Sequence, residues 1–168
     1  MDVIFEFGGG YGSMCRLIHK LGFNGIYLIF DFPEVSMLQQ YFLKSSGFSI
    51  SQNSSAFINK KGVFCLSNKK ILEKVISAMS MDSFKNKLFL ATWSISETPV
   101  QFRQEILKSL STFTNFLIVY QNNFAGVDNL RYFNNWIQSY ESAMHWHHRK
   151  MKYKPGSNYL IGVHKGNI

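Results

Sequence analysis

Apolar runs alternate with amphipathic stretches along most of this chain, which predicts strands separated by helices. Val3, Ile4 and Phe5 form a first run, Met14, Cys15, Leu17, Ile18 and Leu21 follow at helical spacing, and 26–30 form a second run. Pro33 starts a helix with Val35, Leu38, Tyr41, Phe42 and Leu43 on one side. A stretch rich in Ser and Asn, 45–59, holds only the short run Phe48-Ser49-Ile50. Residues 63–66 predict a third strand, and Leu72, Val75, Ile76 and Met79 predict a helix over 69–81. A fourth strand, 88–93, is too apolar to have a wet face. Pro99 then opens a helix at its first turn, where the missing N–H costs nothing. Residues 116–120 give a fifth strand, followed by a helix from about 128 to 143. The end reads as a hairpin, with strands at 146–153 and 159–164 around a Pro155-Gly156-Ser157 turn.

Five strands with crossover helices imply an α/β fold, a doubly wound and mostly parallel sheet with helices on both faces. The closing hairpin adds antiparallel pairing, since a tight turn cannot join parallel neighbours. At 168 residues and 46% hydrophobic content, the chain is expected to be a single domain, 1–168, with a real core. No run approaches the ~20 apolar residues of a membrane span, and Met1 leads directly into the first strand without a signal pattern. Cys15 and Cys65 lie in apolar segments and form no CxxC pair. They read as reduced core residues of a cytoplasmic protein without a structural zinc.

Chemistry enters between the first strand and the first helix, at Glu6-Phe7-Gly8-Gly9-Gly10-Tyr11-Gly12. Glycines there let the backbone turn sharply and let a ligand approach without a Cβ in the way. The second run ends in Asp31, where one carboxylate can accept from both hydroxyls of a ribose. Together they point to an adenosine-containing cofactor. Read from Gly10, the third position of a dinucleotide fingerprint is Cys15, a small residue, so that reading stays open. The alternating Gly8, Gly10 and Gly12, with Glu6 two residues before the first, instead resemble motif I of S-adenosylmethionine (AdoMet)-dependent methyltransferases. A mostly parallel sheet closed by an antiparallel hairpin is also the outline of the Rossmann-like class I methyltransferase core.

The net charge of +8 is spread over lysines such as Lys60, Lys61, Lys69, Lys70, Lys85 and Lys87, which read as solvated positions. Only Arg149, Lys150, Lys152 and Lys154 concentrate charge, among His145, Trp146, His147, His148 and Tyr153. Such a stretch fits either RNA or a polyanionic glycan, or an exposed strand edge guarded by lysines. Alternation sends His147 and His148 to opposite faces, and His145 falls at the rim away from the cofactor, which argues against a metal site. His19 and His164 read as structural.

Four segments narrow the resemblance: the glycine motif; Asp31-Phe32-Pro33-Glu34-Val35 with 38–43; Ala91 to Pro99; and Tyr120-Gln121-Asn122-Asn123-Phe124 with Asp128-Asn129. They resemble the sugar O-methyltransferase family over nearly the whole chain, and the Asp-x-Pro-x-Val segment is also similar to plant-type phenolic O-methyltransferases. Family members carry an N-terminal region before the glycine strand, so this chain is expected to be their catalytic core without it. The resemblance implies AdoMet as cofactor. Gly8, Gly9, Gly10 and Gly12 would allow close backbone approach, Glu6 would receive the amino group of the methionine part, Asp31 the ribose, and Phe32 the adenine. Thr92 and Trp93 would line the methyl-transfer position.

Methyl transfer from a sulfonium needs an aligned acceptor and a group that removes its proton. In an open parallel sheet such groups lie beyond the C-terminal ends of the strands. Glu97, after strand four, is the first candidate for base or acceptor clamp, though Ser96-Glu97-Thr98-Pro99 also suits a helix start. Asp128 is the second, with an N-cap as its structural role. The bases-methylating signature Asn/Asp-Pro-Pro-aromatic is absent, since Thr92-Trp93-Ser94-Ile95 stands there, and no cysteine occupies a likely nucleophile position. An oxygen acceptor is therefore expected, and the family resemblance implies that it belongs to a sugar or glycan. The alternatives are an RNA methyltransferase or RNA-binding module using the basic end, and a non-catalytic AdoMet-binding remnant that needs a partner chain. The last would leave an exposed apolar patch.

Overall fold

The computed structural model describes residues 1–51, 60–79, 84–140 and 142–167. Its elements run β1 (Val3–Phe7), α1 (Ser13–Lys20), β2 (Ile26–Phe30), α2 (Pro33–Ser45), β3 (Gly62–Leu66), α3 (Lys69–Met79) and β4 (Lys87–Thr92). A 3-10 turn (Ser94–Glu97), α4 (Val100–Lys108), β5 (Asn115–Gln121), the two-residue strands β6 (Asn123–Phe124) and β7 (Val127–Asp128), and α5 (Asn129–Gln138) follow. The chain closes with β8 (Met144–Lys150) and β9 (Ser157–His164). Seven strands form one mostly parallel sheet in the order β3-β2-β1-β4-β5-β9-β8. By its internal contacts the chain divides into two compact units, Met1–Leu88 and Phe89–Ile168.

In the first unit, β2 pairs in parallel with β1 on one side and β3 on the other. Every residue of β1 and β2 is buried, which is why these strands read as nearly continuous apolar runs, broken only by Glu6, instead of alternating ones. Cys15, Leu43, Leu72, Ile76 and Met79 pack inside this unit. His19 is structural as expected: its Nδ1 lies 2.8 Å from the Cys15 carbonyl, and its ring packs edge-on against Phe23 and Phe48. Of the polar stretch 45–59, Ile50 forms a parallel bridge to Val63, and 52–59 lie outside the described residues. The helix expected over 69–81 is described to Met79. Lys87 corrects one expectation. It is buried, because β4 starts there, and its ammonium donates to the Met79 carbonyl at 3.0 Å.

In the second unit, β9 pairs antiparallel with β5 and with β8. The Pro155-Gly156 turn is the expected hairpin link. Gly156 has φ 80°, and the Ser157 N–H closes the turn on the Lys154 carbonyl at 3.1 Å. Trp146 lies opposite Gly162, where a Cβ would come within 2.4 Å of the indole, so the glycine makes room for the ring. That indole joins Phe116, Trp136 and Tyr140 in an aromatic cluster. Helix α5 stops at Gln138, short of the expected 143. The Ser139 hydroxyl takes the Trp136 carbonyl at 2.6 Å, and the Tyr140 N–H tightens onto Ile137. Strand β8 is the last of the sheet, and Arg149 and Lys150 on it are exposed, as a guarded edge requires.

Candidate functional site

The first unit carries the glycine loop between β1 and α1. Gly8, Gly10 and Gly12 have φ of 70°, 54° and 96°, the left-handed region that excludes most side chains. Gly9 is required for space: a Cβ there would lie 2.7 Å from Ile29 and 2.8 Å from the Glu6 carboxylate. Gly10, by contrast, faces open space. Glu6 therefore sits directly beneath the loop, 2% exposed, and accepts from the Tyr27 hydroxyl at 2.9 Å. Burial pushes its carboxyl up to about 7, and the Asp31 charge adds to the rise, while the Tyr27 hydrogen bond opposes it.

Asp31, at the tip of β2, is tied to the same loop. Its Oδ2 accepts from the Gly10 N–H at 3.2 Å and from Gln39 Nε2 at 3.2 Å, and its Oδ1 accepts from the Phe32 N–H at 2.9 Å. Partial burial raises its pKa, and these three donors counteract the rise. Phe32 is 74% exposed, open for a planar ligand to lie against. Gln39 was not among the residues the sequence singled out for a role. It is wholly buried on α2, donates to the Gly10 carbonyl at 2.8 Å as well as to Asp31, and leaves its own Oε1 without a hydrogen-bond partner. Its sequence signal was a polar residue on the buried face of an amphipathic helix.

In the second unit, Thr92 ends β4 and Trp93 follows with φ 64° and ψ −36°, a strained conformation for a bulky residue. The Trp93 N–H bonds the Val119 carbonyl at 2.7 Å, its buried Nε1 has no partner, and Lys154 Nζ stands 4.3 Å over the ring. Glu97 closes the 3-10 turn, exposed, and accepts from Gln121 Nε2 at 3.1 Å. Gln121 Oε1 in turn accepts from the Ser96 hydroxyl at 3.1 Å. Asp128 takes its structural role: it caps α5, accepting from the Arg131 N–H at 2.9 Å.

Beneath this turn lies a network that the sequence did not reveal. Arg103 is wholly buried and donates to the carbonyls of Ser96 (2.8 Å) and Thr98 (3.1 Å) and to Asn129 Oδ1 (2.8 Å). Tyr132 lies under its guanidinium at 4.6 Å, and burial lowers its pKa from the usual arginine range. Asn129 Nδ2 reaches the Gln121 carbonyl at 3.0 Å. Arg103 and Asn129 thus fix the backbone on both sides of Glu97. The only signal available was an arginine on the apolar side of a helix.

The histidines divide. His148 Nε2 lies 2.6 Å from the Tyr120 hydroxyl, and burial lowers its pKa. His164 bonds the Gly166 N–H at 3.1 Å. Among the described residues no group of three or more His, Cys, Asp or Glu could hold a metal ion, and no helix is long and apolar enough to cross a membrane. Both cysteines are free. Tyr11, Leu21, Phe32, Met37 and Tyr41 leave apolar surface exposed in the first unit.

No protein-family model matches this sequence, and no curated protein matches it either. Solved structures do match. The methyltransferase domain of bacterial CtHen1-C superimposes with a TM-score of 0.60 at 8% identity, over 96% of this chain and 89% of that one. An O-methyltransferase family protein from Burkholderia thailandensis gives 0.59 at 9% identity, over 96% and 50%. Sp1610 from Streptococcus pneumoniae, a candidate tRNA (m1A22) methyltransferase in complex with S-adenosyl-L-methionine, gives 0.57 at 11%, over 96% and 65%. The chain thus spans about half to two thirds of the length of the latter two. At these identities the likeness is one of architecture: the chain has the Rossmann-like fold of class I AdoMet-dependent methyltransferases.

Proposed function

We propose that this chain is an AdoMet-dependent O-methyltransferase that acts on a hydroxyl of a sugar or glycan, with 1–168 as its AdoMet-binding domain. The observation that carries the reading is the glycine loop locked to Asp31 through the Gly10 N–H and Gln39, directly above a buried Glu6. The residues present fit the cofactor: a glycine loop that is open at Gly10, a ribose-ready carboxylate, and a second carboxylate to meet an amino group. In this reading Gly8, Gly9, Gly10 and Gly12 bring the backbone close. Glu6 balances the ligand's ammonium, Asp31 accepts from the ribose, and Phe32 covers the adenine. Thr92 and Trp93 line the transfer position. AdoMet supplies an activated methyl group when bound. Glu97, held by Gln121, removes or orients the acceptor proton. Asp128 is the second acceptor-side carboxylate, and because it already caps α5, Glu97 carries the proton. The two free thiols suit a reducing cytoplasm. Asp31→Ala removes charge-assisted hydrogen bonds and should weaken AdoMet by ~1.5–3 kcal/mol. Unchanged affinity in that variant would sink the assignment.

One observation favours RNA as the acceptor: residues 142–168 carry no acid, and Arg149, Lys150, Lys152 and Lys154 lie along the edge strand β8 and its turn, with Lys165 just after β9. RNA affinity that falls steeply with salt would support that reading. The exposed Leu21, Met37 and Tyr41 favour a non-catalytic AdoMet-binding remnant, for which AdoMet binds and no acceptor turns over.

A further inference from the structure

A cavity of about 560 Å³ lies wholly within the second unit, where β5 ends, β9 begins and β8 runs into its turn. Its walls combine Asn122, Asn134, Asn158, His148 and Lys150 with apolar Leu130, and no acidic residue lines it. Asn122 Oδ1 is committed to Asn158 Nδ2 at 2.7 Å, so the amide hydrogens of Asn122 and the carbonyl oxygen of Asn158 stay available. Side-chain amides offer a donor and an acceptor side by side, the arrangement that adjacent ring hydroxyls satisfy. The Tyr120 hydroxyl holds the His148 ring, and the Asn122 N–H clamps the turn through the Gly156 carbonyl at 2.7 Å, so the walls are set before a ligand arrives. Lys150 makes no ion pair among the described residues, and it gives the cavity one unopposed positive charge. Phe, Tyr and Trp are absent from the lining, and its one aromatic ring, His148, is already engaged by the Tyr120 hydroxyl.

We infer that this cavity, whose Asn122 follows the Gln121 that holds Glu97 and whose Pro155 follows the Lys154 that covers Trp93, binds an acidic sugar, a hydroxyl-rich ring carrying a carboxylate or a phosphate, as the acceptor. The amides take the hydroxyls, Leu130 meets the C–H face, and Lys150 meets the anionic group. The inference rests on the reading of the chain as a methyltransferase for a hydroxyl acceptor, and it narrows that reading to one substrate class.

The test is a protein-observed NMR titration of the full chain, with and without S-adenosylhomocysteine, using glucuronate, glucose 6-phosphate, glucose and inorganic phosphate. One or both acidic sugars should shift the Asn122, Asn134 and Asn158 amide signals and bind at least tenfold tighter than glucose or phosphate. Glucuronate alone would assign a carboxylate, glucose 6-phosphate alone a phosphate. Lys150→Met, an exposed position whose folding the spectrum itself reports, should bring the acidic sugars down to the glucose level. Asn134→Ala should weaken sugars and leave phosphate unaffected. The inference is overturned if glucose matches the acidic sugars, if phosphate alone matches glucose 6-phosphate, if Lys150→Met changes nothing, or if no sugar binds. S-adenosylhomocysteine binding without sugar binding would remove this inference alone. Sugar binding without the adenosyl ligand would instead remove the methyltransferase reading.

Discussion

Glu6 makes a prediction that can be worked through from its surroundings. Its folded-state pKa of about 7 stands against an ordinary value of 4.5, because it is buried under the glycine loop with only the Tyr27 hydroxyl to stabilise its charge. Between those pH values the folded chain keeps a proton that the unfolded chain gives up. The stability that Glu6 contributes is therefore greatest below pH 4.5 and is lost as pH rises through 7. At about 1.4 kcal/mol per pKa unit the full loss is about 3 kcal/mol. Glu6→Gln keeps an acceptor for Tyr27 and has no proton to lose. Urea unfolding of both proteins should show near-equal stability at pH 4.5, and the variant gaining by up to about 3 kcal/mol at pH 8. A difference that stays constant between pH 5 and 8 would refute the reasoning. The same carboxyl should respond to ligand. At pH 6 its raised pKa keeps it mostly protonated, and meeting an ammonium group should drive that proton off. Calorimetry in buffers of different ionisation enthalpy should count close to one proton released per AdoMet bound, and none for Glu6→Gln.

Other outcomes follow from the same contacts. Gly9→Ala forces a Cβ to within 2.8 Å of both Ile29 and the Glu6 carboxylate, and should cost about 1–3 kcal/mol in urea unfolding while weakening AdoMet. Gln39→Leu removes a buried amide with an orphaned oxygen, so stability should change by less than about 1 kcal/mol. AdoMet affinity should nonetheless fall roughly tenfold by titration, since a hydrogen bond holding Asp31 to the loop is lost. Arg103→Met leaves the buried Asn129 Oδ1 and the half-buried Thr98 carbonyl without their donor, while the Ser96 carbonyl keeps Asn129 Nδ2, and chemical denaturation should show a loss of about 2–3 kcal/mol.

The half of the site built by local chain geometry was readable in advance. A buried strand, a glycine turn, a helix and a second strand ending in Asp31 need only near neighbours in sequence, and periodicity with glycine chemistry reports those. The Arg103 network was not readable, because it joins Ser96, Thr98, Gln121 and Asn129 from separate elements, and an arginine on a helix face ordinarily snorkels to water. The β6–β7 ribbon escaped for a different reason. Two residues per strand cannot show alternation, and its turn rests on Ala125 and Gly126 at φ 47° and 80°. The burial of Lys87 did not show because a lysine at the start of an apolar run looks like a solvated flank; the carbonyl that receives its ammonium belongs to Met79, the last residue of α3. Boundaries slipped where side chains compete with backbone, as Ser139 does at the end of α5.

The central claim is that the glycine loop and Asp31 hold an adenosyl sulfonium cofactor. Isothermal titration of the chain with AdoMet, S-adenosylhomocysteine and NADH tests it most directly. Micromolar binding of both adenosyl ligands, silence from NADH, and loss of both in Asp31→Ala are the predicted results. Binding of NADH in their place, or of none of the three, would contradict it.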